Sequence, residues 1–211
     1  MPPLPKRVLA YLLCVAVVAA VTVAATVYWD GWTWDGGEGL VAVSVACGLA
    51  VALRFPMHMS QKMSQETAAV PIVVGIIALN PTLLVLAVLA GALVGESIKA
   101  TARPAQVAFN SSTWVLGAAA GIGTALLFDG DASGHTQAAS VLLSTLSYHL
   151  VTTLLVEGIV DLQIGAKPFF QWRERYGEPV LHEWALLTIG AVGGLVVELR
   201  RALDHLCTEP R

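Results

Sequence analysis

Long apolar runs alternate with short polar segments along almost the whole chain. The runs predict helices at residues 8–28, 39–54, 67–80, 82–98, 108–128, 137–160 and 183–199. Runs near 20 residues are long enough to cross a hydrocarbon core about 30 Å thick. Most charged residues lie in the polar segments between the runs, as expected when lipid surrounds the runs themselves. The pattern therefore predicts an all-α, polytopic transmembrane helical bundle. It has about seven spans, within a range of six to eight, in one integral membrane domain over residues 1–211.

The composition supports a membrane protein. Hydrophobic residues make up 56% of the chain and charged residues only 13%, whereas a soluble domain carries about 25% charged residues. The mean hydropathy is +0.70. The net charge of −3 and the scattered Lys and Arg residues form no basic face for nucleic acid. The bilayer is therefore the predicted partner, and nucleic acid is excluded.

Two interruptions divide the first half of the chain. The residue before a proline is biased away from the helix, so Asn80-Pro81 predicts that the apolar stretch from Ala68 to Leu93 forms a tight helical hairpin. The polar segment 54–66 predicts a re-entrant loop or a strand that caps the bundle. Its Met residues and His58 suggest soft-metal binding, but their spacing is irregular and no Cys joins them. No metal or other cofactor is predicted.

The positive charges predict an orientation. If all seven segments cross, nine of the twelve Lys and Arg residues lie on one side of the membrane. Because cytoplasmic loops are enriched in Lys and Arg, we expect a cytoplasmic N-terminus in a bacterial plasma membrane. The same count places Arg200 and Arg201 outside, so either one short segment fails to cross or the chain stops one helix early.

Polar residues inside the apolar runs are the first functional candidates, since a charge at the bilayer centre costs roughly 2.5–3.5 kcal/mol. His149 lies near the middle of the sixth run, with Tyr148 and Thr152 beside it and Glu157 two turns further along the same face. An interhelical hydrogen bond is the common role for such a histidine. A ligand donor or an element of a proton relay are the open alternatives.

A second polar group lies at the start of the fifth run. Asn110 is followed by Ser111, Ser112 and Thr113, and capping of the free amides at a helix start explains such a cluster. Six residues form the predicted ligand-binding set: Asn110, His149, Thr152, Tyr148, Glu66 and Arg54.

The predicted protein is not an enzyme. The sequence contains no GxSxG, no Walker loop and no HExxH. Ser140, Ser144 and Ser147 with His149 leave an intramembrane hydrolase as the least favoured alternative.

Glycines recur at four-residue spacing in three of the runs. Small residues let helix backbones approach closely, which is how helices associate within lipid. The spacing predicts close packing at three pairs of glycines: Gly91 and Gly95, Gly117 and Gly121, Gly190 and Gly194.

The order of features resembles a known family. An extended segment at 52–56, a helix pair joined at Asn80-Pro81, a basic loop from Lys99 to Arg103 and a helix that contains Phe109-Asn110 occur in that order. This order is similar to the N-terminal multi-helix membrane sensor region of bacterial GGDEF and HD-GYP signalling proteins. The pattern at 148–155 extends the likeness, although the family's Asn is Thr152 here.

The resemblance implies a non-catalytic sensory or small-ligand-binding membrane module, with a cytoplasmic or membrane signalling partner. The chain carries neither the eighth helix nor the signalling domain usual in that family. The order of helices is also similar to the substrate-binding subunits of energy-coupling-factor vitamin transporters, which would imply a transporter ATPase module as partner. In that alternative residues 55–66 form a lid on the outside of the membrane. The orientation of this segment therefore discriminates between the two.

Overall fold

The computed structural model describes residues 5–31, 36–55, 57–60, 63–65, 67–99, 103–128 and 134–165, with 188–190, 192 and 196; for 57–60, 63–65 and 134–138 it describes only the backbone. The elements are α1 (Lys6–Asp30), α2 (Gly36–Arg54), β1 (Met57–Ser60), β2 (Met63–Gln65), α3 (Ala69–Ala78), α4 (Pro81–Ser97), α5 (Pro104–Leu126) and α6 (Gly134–Ile164). The predicted helical fold is therefore confirmed, apart from one short antiparallel hairpin of β1 and β2. Of the predicted segment 183–199, the described residues are helical and the others lie outside the described ranges.

Proline and glycine account for several of the helix boundaries. Gly31 ends α1 with a φ of 75°, a conformation that other residues rarely adopt. Phe55 follows α2 immediately and precedes Pro56, which disfavours a continued helix. The predicted break at Asn80-Pro81 is confirmed. Asn80 caps α4 by accepting a hydrogen bond from the Leu83 backbone amide at 2.9 Å, and Pro81 occupies the first helical position.

Three helices are long and apolar enough to cross a membrane: Lys6–Asp30, Gly36–Arg54 and, within α6, Ala139–Ile164. The helices α3 and α4 are apolar but shorter. At 1.5 Å per residue, the ten residues of α3 cover only about 15 Å. The structure thus carries helices at six of the predicted segments, while length and composition qualify three of them as spans.

Contacts between named residues fix the helix directions. Asn80 at the start of α4 donates a hydrogen bond to Glu38 at the start of α2, and Gly95 further along α4 faces Ala50 of α2, so these two helices run parallel. The Thr82 amide bonds Asp30 at the end of α1, so α1 runs antiparallel to α4. Tyr11 bonds the Leu155 carbonyl, and α6 is therefore antiparallel to α1.

This arrangement places the Lys and Arg residues of the described ranges at one end of the bundle, and the acidic residues Asp30 and Glu38 at the other end. We call the end that holds the start of α1 and the end of α2 the basic end. All five Lys and Arg residues in the described ranges lie there: Lys6, Arg7, Arg54, Lys99 and Arg103. The opposite end carries Asp30 and Glu38. At the basic end Glu96 and Lys99 form an ion pair, with 2.9 Å between Oε1 and Nζ.

The outside of the bundle is apolar, while several polar residues lie within it. Large hydrophobic side chains on α1, α2 and α6, such as Leu13, Val43 and Leu150, are about half exposed. Buried polar side chains include Thr82, Ser111, Ser144 and Thr152. In water this distribution would be costly, but it is the one expected in a hydrocarbon medium.

Helix α4 lies at the centre and packs against α1, α2, α3 and α5. Its glycines permit the closest approach, as predicted from their spacing. A Cβ atom at Gly91 would lie 2.5 Å from the Ala46 carbonyl oxygen, which is a backbone atom of α2. At Gly190 a Cβ atom would lie 2.9 Å from Val73 Cβ on α3. The glycines therefore set the spacing between helices.

We expect Gly91→Ala to destabilise the protein by about 1–3 kcal/mol, because α2 must move to admit the methyl group. The free energy of unfolding in detergent micelles measures this effect. Gly123→Ala is the matched control, since a Cβ atom at Gly123 meets nothing within 4 Å. Equal stability of the two variants would contradict the close contact between α2 and α4.

Candidate functional site

The largest polar region of the described helices lies between α5 and α6, which pack together along their lengths in opposite directions. A Cβ atom at Gly117 would collide with Thr152 Cγ2, and one at Gly121 would lie 3.2 Å from the Ser144 carbonyl oxygen. Thr124 Oγ1 donates to Ser147 Oγ across the interface at 2.9 Å. We call the buried polar residues between these two helices the polar interior.

Two of the predicted ligand-binding residues lie within the polar interior. Tyr148 is buried against Gly117, and Thr152 is buried one turn further along α6. The Thr152 hydroxyl donates to the carbonyls of Tyr148 and His149, both at 3.0 Å. Thr152 is thus held by its own helix, and its methyl group forms the contact with α5.

Two further predicted residues flank this region. His149 is half-buried on α6, one residue beyond Tyr148. Asn110 is half-buried on α5, one residue before the buried Ser111. Both are therefore close in sequence to the polar interior and partly accessible.

The structure does not bring Arg54 to the polar interior. Its side chain is exposed at the end of α2, where the guanidinium carbon lies 5.2 Å from the centroid of the Phe55 ring. Glu66 lies outside the described residues.

The capping role predicted for Asn110 and the residues after it is wrong. Helix α5 begins at Pro104, with Arg103 as its N-cap, so Asn110 lies two turns inside the helix. The hydroxyls point to carbonyls rather than to free amides: Ser112 Oγ donates to the Ala108 oxygen, and Thr113 Oγ1 to the Phe109 oxygen. Proline at the first helical position starts the helix earlier than the apolar run indicates.

Four buried polar atoms of α5 and α6 have no hydrogen-bond partner. They are Ser111 Oγ and Trp114 Nε1 on α5, and Ser144 Oγ and Thr145 Oγ1 on α6. Leaving such a group unsatisfied costs about 1–3 kcal/mol. The four atoms are therefore available to a bound solute or to water.

The levels of Trp114 and Ser144 are separated by a distance that suits a small molecule, and Ser111 lies three residues before Trp114 on α5. Gly121 lies against Ser144, and Trp114 precedes Gly121 by seven residues, or about 10 Å along the helix. Tyr148 lies between these two levels, against Gly117. A solute about 10 Å long would reach from Trp114 to Ser144 past the Tyr148 ring.

The sequence interpretation missed Trp114, Thr145 and Asp161. Asp161 is buried, with 3% of its side chain exposed. It lies twelve residues after His149 on the same face of α6. The four-residue spacing from His149 through Glu157 was the signal that could have found it. Trp114 gave no such signal, because an aromatic residue within an apolar run is ordinary.

Helix α1 closes one side of this site near the basic end. The Tyr11 hydroxyl donates to the Leu155 carbonyl at 2.9 Å, and its ring lies 6.2 Å from that of Phe109. A Cβ atom at Gly158 would lie 2.6 Å from the Tyr11 oxygen. Tyr11 thus connects α1 with both α5 and α6.

Comparison of the chain with protein-family models, with curated proteins and with solved structures finds no match.

We expect Tyr11→Phe to destabilise the protein by about 1 kcal/mol, because it removes the hydrogen bond to α6 and keeps the ring. Tyr28→Phe removes the same hydroxyl from a side chain that is 83% exposed, and it should leave stability unchanged. Unfolding free energies of the two variants in one detergent measure the difference. An equal effect at both positions would contradict the role of Tyr11.

Proposed function

We propose that this chain is a non-catalytic, multi-pass protein of the bacterial plasma membrane that binds a small polar solute within the polar interior. In this proposal it crosses the membrane about seven times and acts as a sensory or ligand-binding module. Tyr148, Thr152 and His149 of α6 and Asn110 of α5 contribute to the site, together with the four polar atoms described above.

The observation that carries the proposal is the presence of buried, unsatisfied polar atoms on two facing helices of a bundle with an apolar outside. Hydroxyl groups donate and accept hydrogen bonds, whereas Trp114 Nε1 only donates. The complementary solute is therefore small and carries acceptor atoms opposite Trp114. Among the described residues, no group of three or more His, Cys, Asp or Glu could hold a metal ion.

The charge distribution favours a cytoplasmic basic end, and with it a cytoplasmic N-terminus. The hairpin of β1 and β2 follows Arg54 directly, so the same argument favours a cytoplasmic position for the hairpin. A cytoplasmic hairpin supports the sensory interpretation over a vitamin-transporter subunit, in which this segment lies outside.

A signal would reach a partner through the packing of α1. Tyr11 holds α1 to α6, and its ring also contacts Phe109 of α5. A solute that changes the spacing of α5 and α6 therefore acts on α1, which begins at the basic end. Shifts of about 1–2 Å are typical of such transitions. The proposed partner is a signalling protein on the cytoplasmic side or in the membrane.

We expect Ser144→Ala and Trp114→Phe each to weaken solute binding by roughly tenfold, since each removes one hydrogen-bonding group, a loss of ~1.4 kcal/mol. The solute is identified by mass spectrometry of extracts from the purified protein, and affinity is then measured by calorimetric titration. Ser44→Ala is the matched control, because that hydroxyl is exposed on α2 and bonds the Leu40 carbonyl. A protein that retains no solute, and that a panel of small polar solutes does not stabilise, would contradict the proposal.

Labelling of single cysteines tests the orientation. In a chain whose native cysteines, Cys14, Cys47 and Cys207, are replaced by alanine, we introduce Gly36→Cys or Ser97→Cys at opposite ends of the bundle. A membrane-impermeant maleimide should label position 36 in intact cells, and position 97 only after permeabilisation. The reverse pattern would place the hairpin outside. Together with copurification of an ATPase pair, that result would favour the transporter subunit.

A further inference from the structure

Helix α6 carries two adjacent rows of polar side chains at four-residue spacing. The first row consists of Thr145, His149, Thr153, Glu157 and Asp161. The second row consists of Ser140, Ser144, Tyr148 and Thr152. We call these nine residues the polar rows. Residues four apart lie on the same face of a helix, so each row is continuous.

The polar rows face the protein. Seven of the nine residues are buried, and His149 and Ser140 are half-buried. The opposite face of α6 carries Leu142, Leu146, Leu150 and Leu154, which are 39–58% exposed. The helix therefore presents leucines outwards and buries seven of the nine members of the polar rows inside the protein.

The polar rows are as long as a membrane is thick. Ser140 and Asp161 are 21 residues apart, which corresponds to about 32 Å along the helix. The hydrocarbon core of a bilayer is about 30 Å thick. The helical segment that contains them, Ala139–Ile164, is one of the three able to cross a membrane. The rows thus join the basic end to the opposite end without an apolar interruption longer than one turn.

The chemistry of the rows suits proton transfer. Carboxylates at Glu157 and Asp161, each 3% exposed, can bind and release a proton. The imidazole of His149 can do so midway, and hydroxyls both accept and donate hydrogen bonds. Buried ionisable residues within membrane helices mark ion pathways and proton relays. Packing alone would be achieved more cheaply with apolar side chains.

An independent observation points to water along the rows. Ser144 Oγ and Thr145 Oγ1 are buried in side chains that are 1% and 4% exposed, and neither has a hydrogen-bond partner. Buried water typically satisfies groups of this kind with about three hydrogen bonds. The part of the polar rows from Ser140 to His149 contains no carboxylate. Ser144 and Thr145 therefore give this part the groups needed to hold bridging water.

The neighbouring helices add few charges. Helix α6 packs against α1, α3 and α5, and α3 and α5 contain no titratable residue. On α1, Tyr11 bonds the Leu155 carbonyl, and the Arg7 guanidinium lies 3.4 Å from where a Cβ atom would stand at Gly165, one turn beyond Asp161. Arg7 is thus a cation of the described residues that lies near the end of the rows.

We propose that the polar rows form a path for protons through the membrane, from Asp161 at the basic end to Ser140 at the other. Because Asp161 is buried, it receives a proton from the basic end by way of bridging water, and it passes the proton to Glu157. The proton then moves through Thr153 and His149, by way of bridging water, to Thr145 and Ser144. Each group releases one proton as it receives the next, so no bond changes overall and one positive charge crosses. This activity goes beyond solute binding and does not depend on it.

The full-length protein in liposomes tests the proposal without any solute. The vesicles contain a pH-sensitive dye, and valinomycin with potassium on both sides holds the membrane potential at zero. After an external acid pulse, internal acidification should be faster than in protein-free vesicles and should increase with the amount of protein. Glu157→Gln and Asp161→Asn should each slow it by roughly tenfold or more, because an amide cannot exchange a proton as a carboxylate does.

Glu38→Gln is the matched control, since it makes the same chemical change at a carboxylate that bonds Asn80 at the opposite end of the bundle. Its acidification rate should equal that of the natural chain. Glu157→Asp retains a titratable group and should restore more of the rate than Glu157→Gln does. Elution volume and thermal midpoint in detergent show whether each variant is folded.

Two results would overturn the proton path. One is acidification no faster than in protein-free vesicles; the other is an unchanged rate in a folded Glu157→Gln variant. Calorimetric binding of the solute to the same preparations is a separate measurement. A protein that binds a solute but conducts no protons would therefore refute only the path.

Discussion

Hydrocarbon offers no hydrogen bonds, so a polar group in this protein finds a partner only inside the protein itself. This constraint organises the whole structure. Backbone groups are satisfied within helices. Several hydroxyls are satisfied by carbonyls one turn back in their own helix, as at Thr22, Ser112 and Thr152. Leucine and valine then cover most of the outside of α1, α2 and α6. Exposed hydroxyls there, such as that of Ser44, bond a carbonyl of their own helix.

The same constraint divides the bundle into two unlike halves. Between α2 and α4 the contact is made by backbone, at Gly91 and Gly95, and it leaves little space for anything else. Between α5 and α6 the glycines face larger polar side chains, and four buried polar atoms remain unsatisfied. A closely packed pair of helices therefore lies beside a pair that retains buried, unsatisfied polar groups.

Helix positions could be predicted from the sequence because proline, asparagine and glycine act locally. Asn80-Pro81 gave the break between α3 and α4 almost to the residue. The start of α5 was misplaced because the apolar run was taken to begin after Pro104 and Gln106, although Pro104 favours an early start. The apolar run marks where lipid or protein surrounds a helix, whereas the helix itself extends beyond it.

The candidate site could be predicted only in part, because burial depends on which helices meet. Tyr148 and Thr152 were identified from their own run, but Trp114 became relevant only when α5 was seen to face α6. Arg54 was grouped with them by sequence order, and the structure leaves it on the surface beside Phe55.

Helix α5 itself shows why such errors arise. It is 23 residues long but is not among the three helices apolar enough to cross a membrane on their own. Packing against α1, α4 and α6 keeps its hydroxyls out of contact with lipid. The residues that make α5 unfavourable as an isolated helix are therefore those that line the site, so assembly of the bundle and formation of the site are one event.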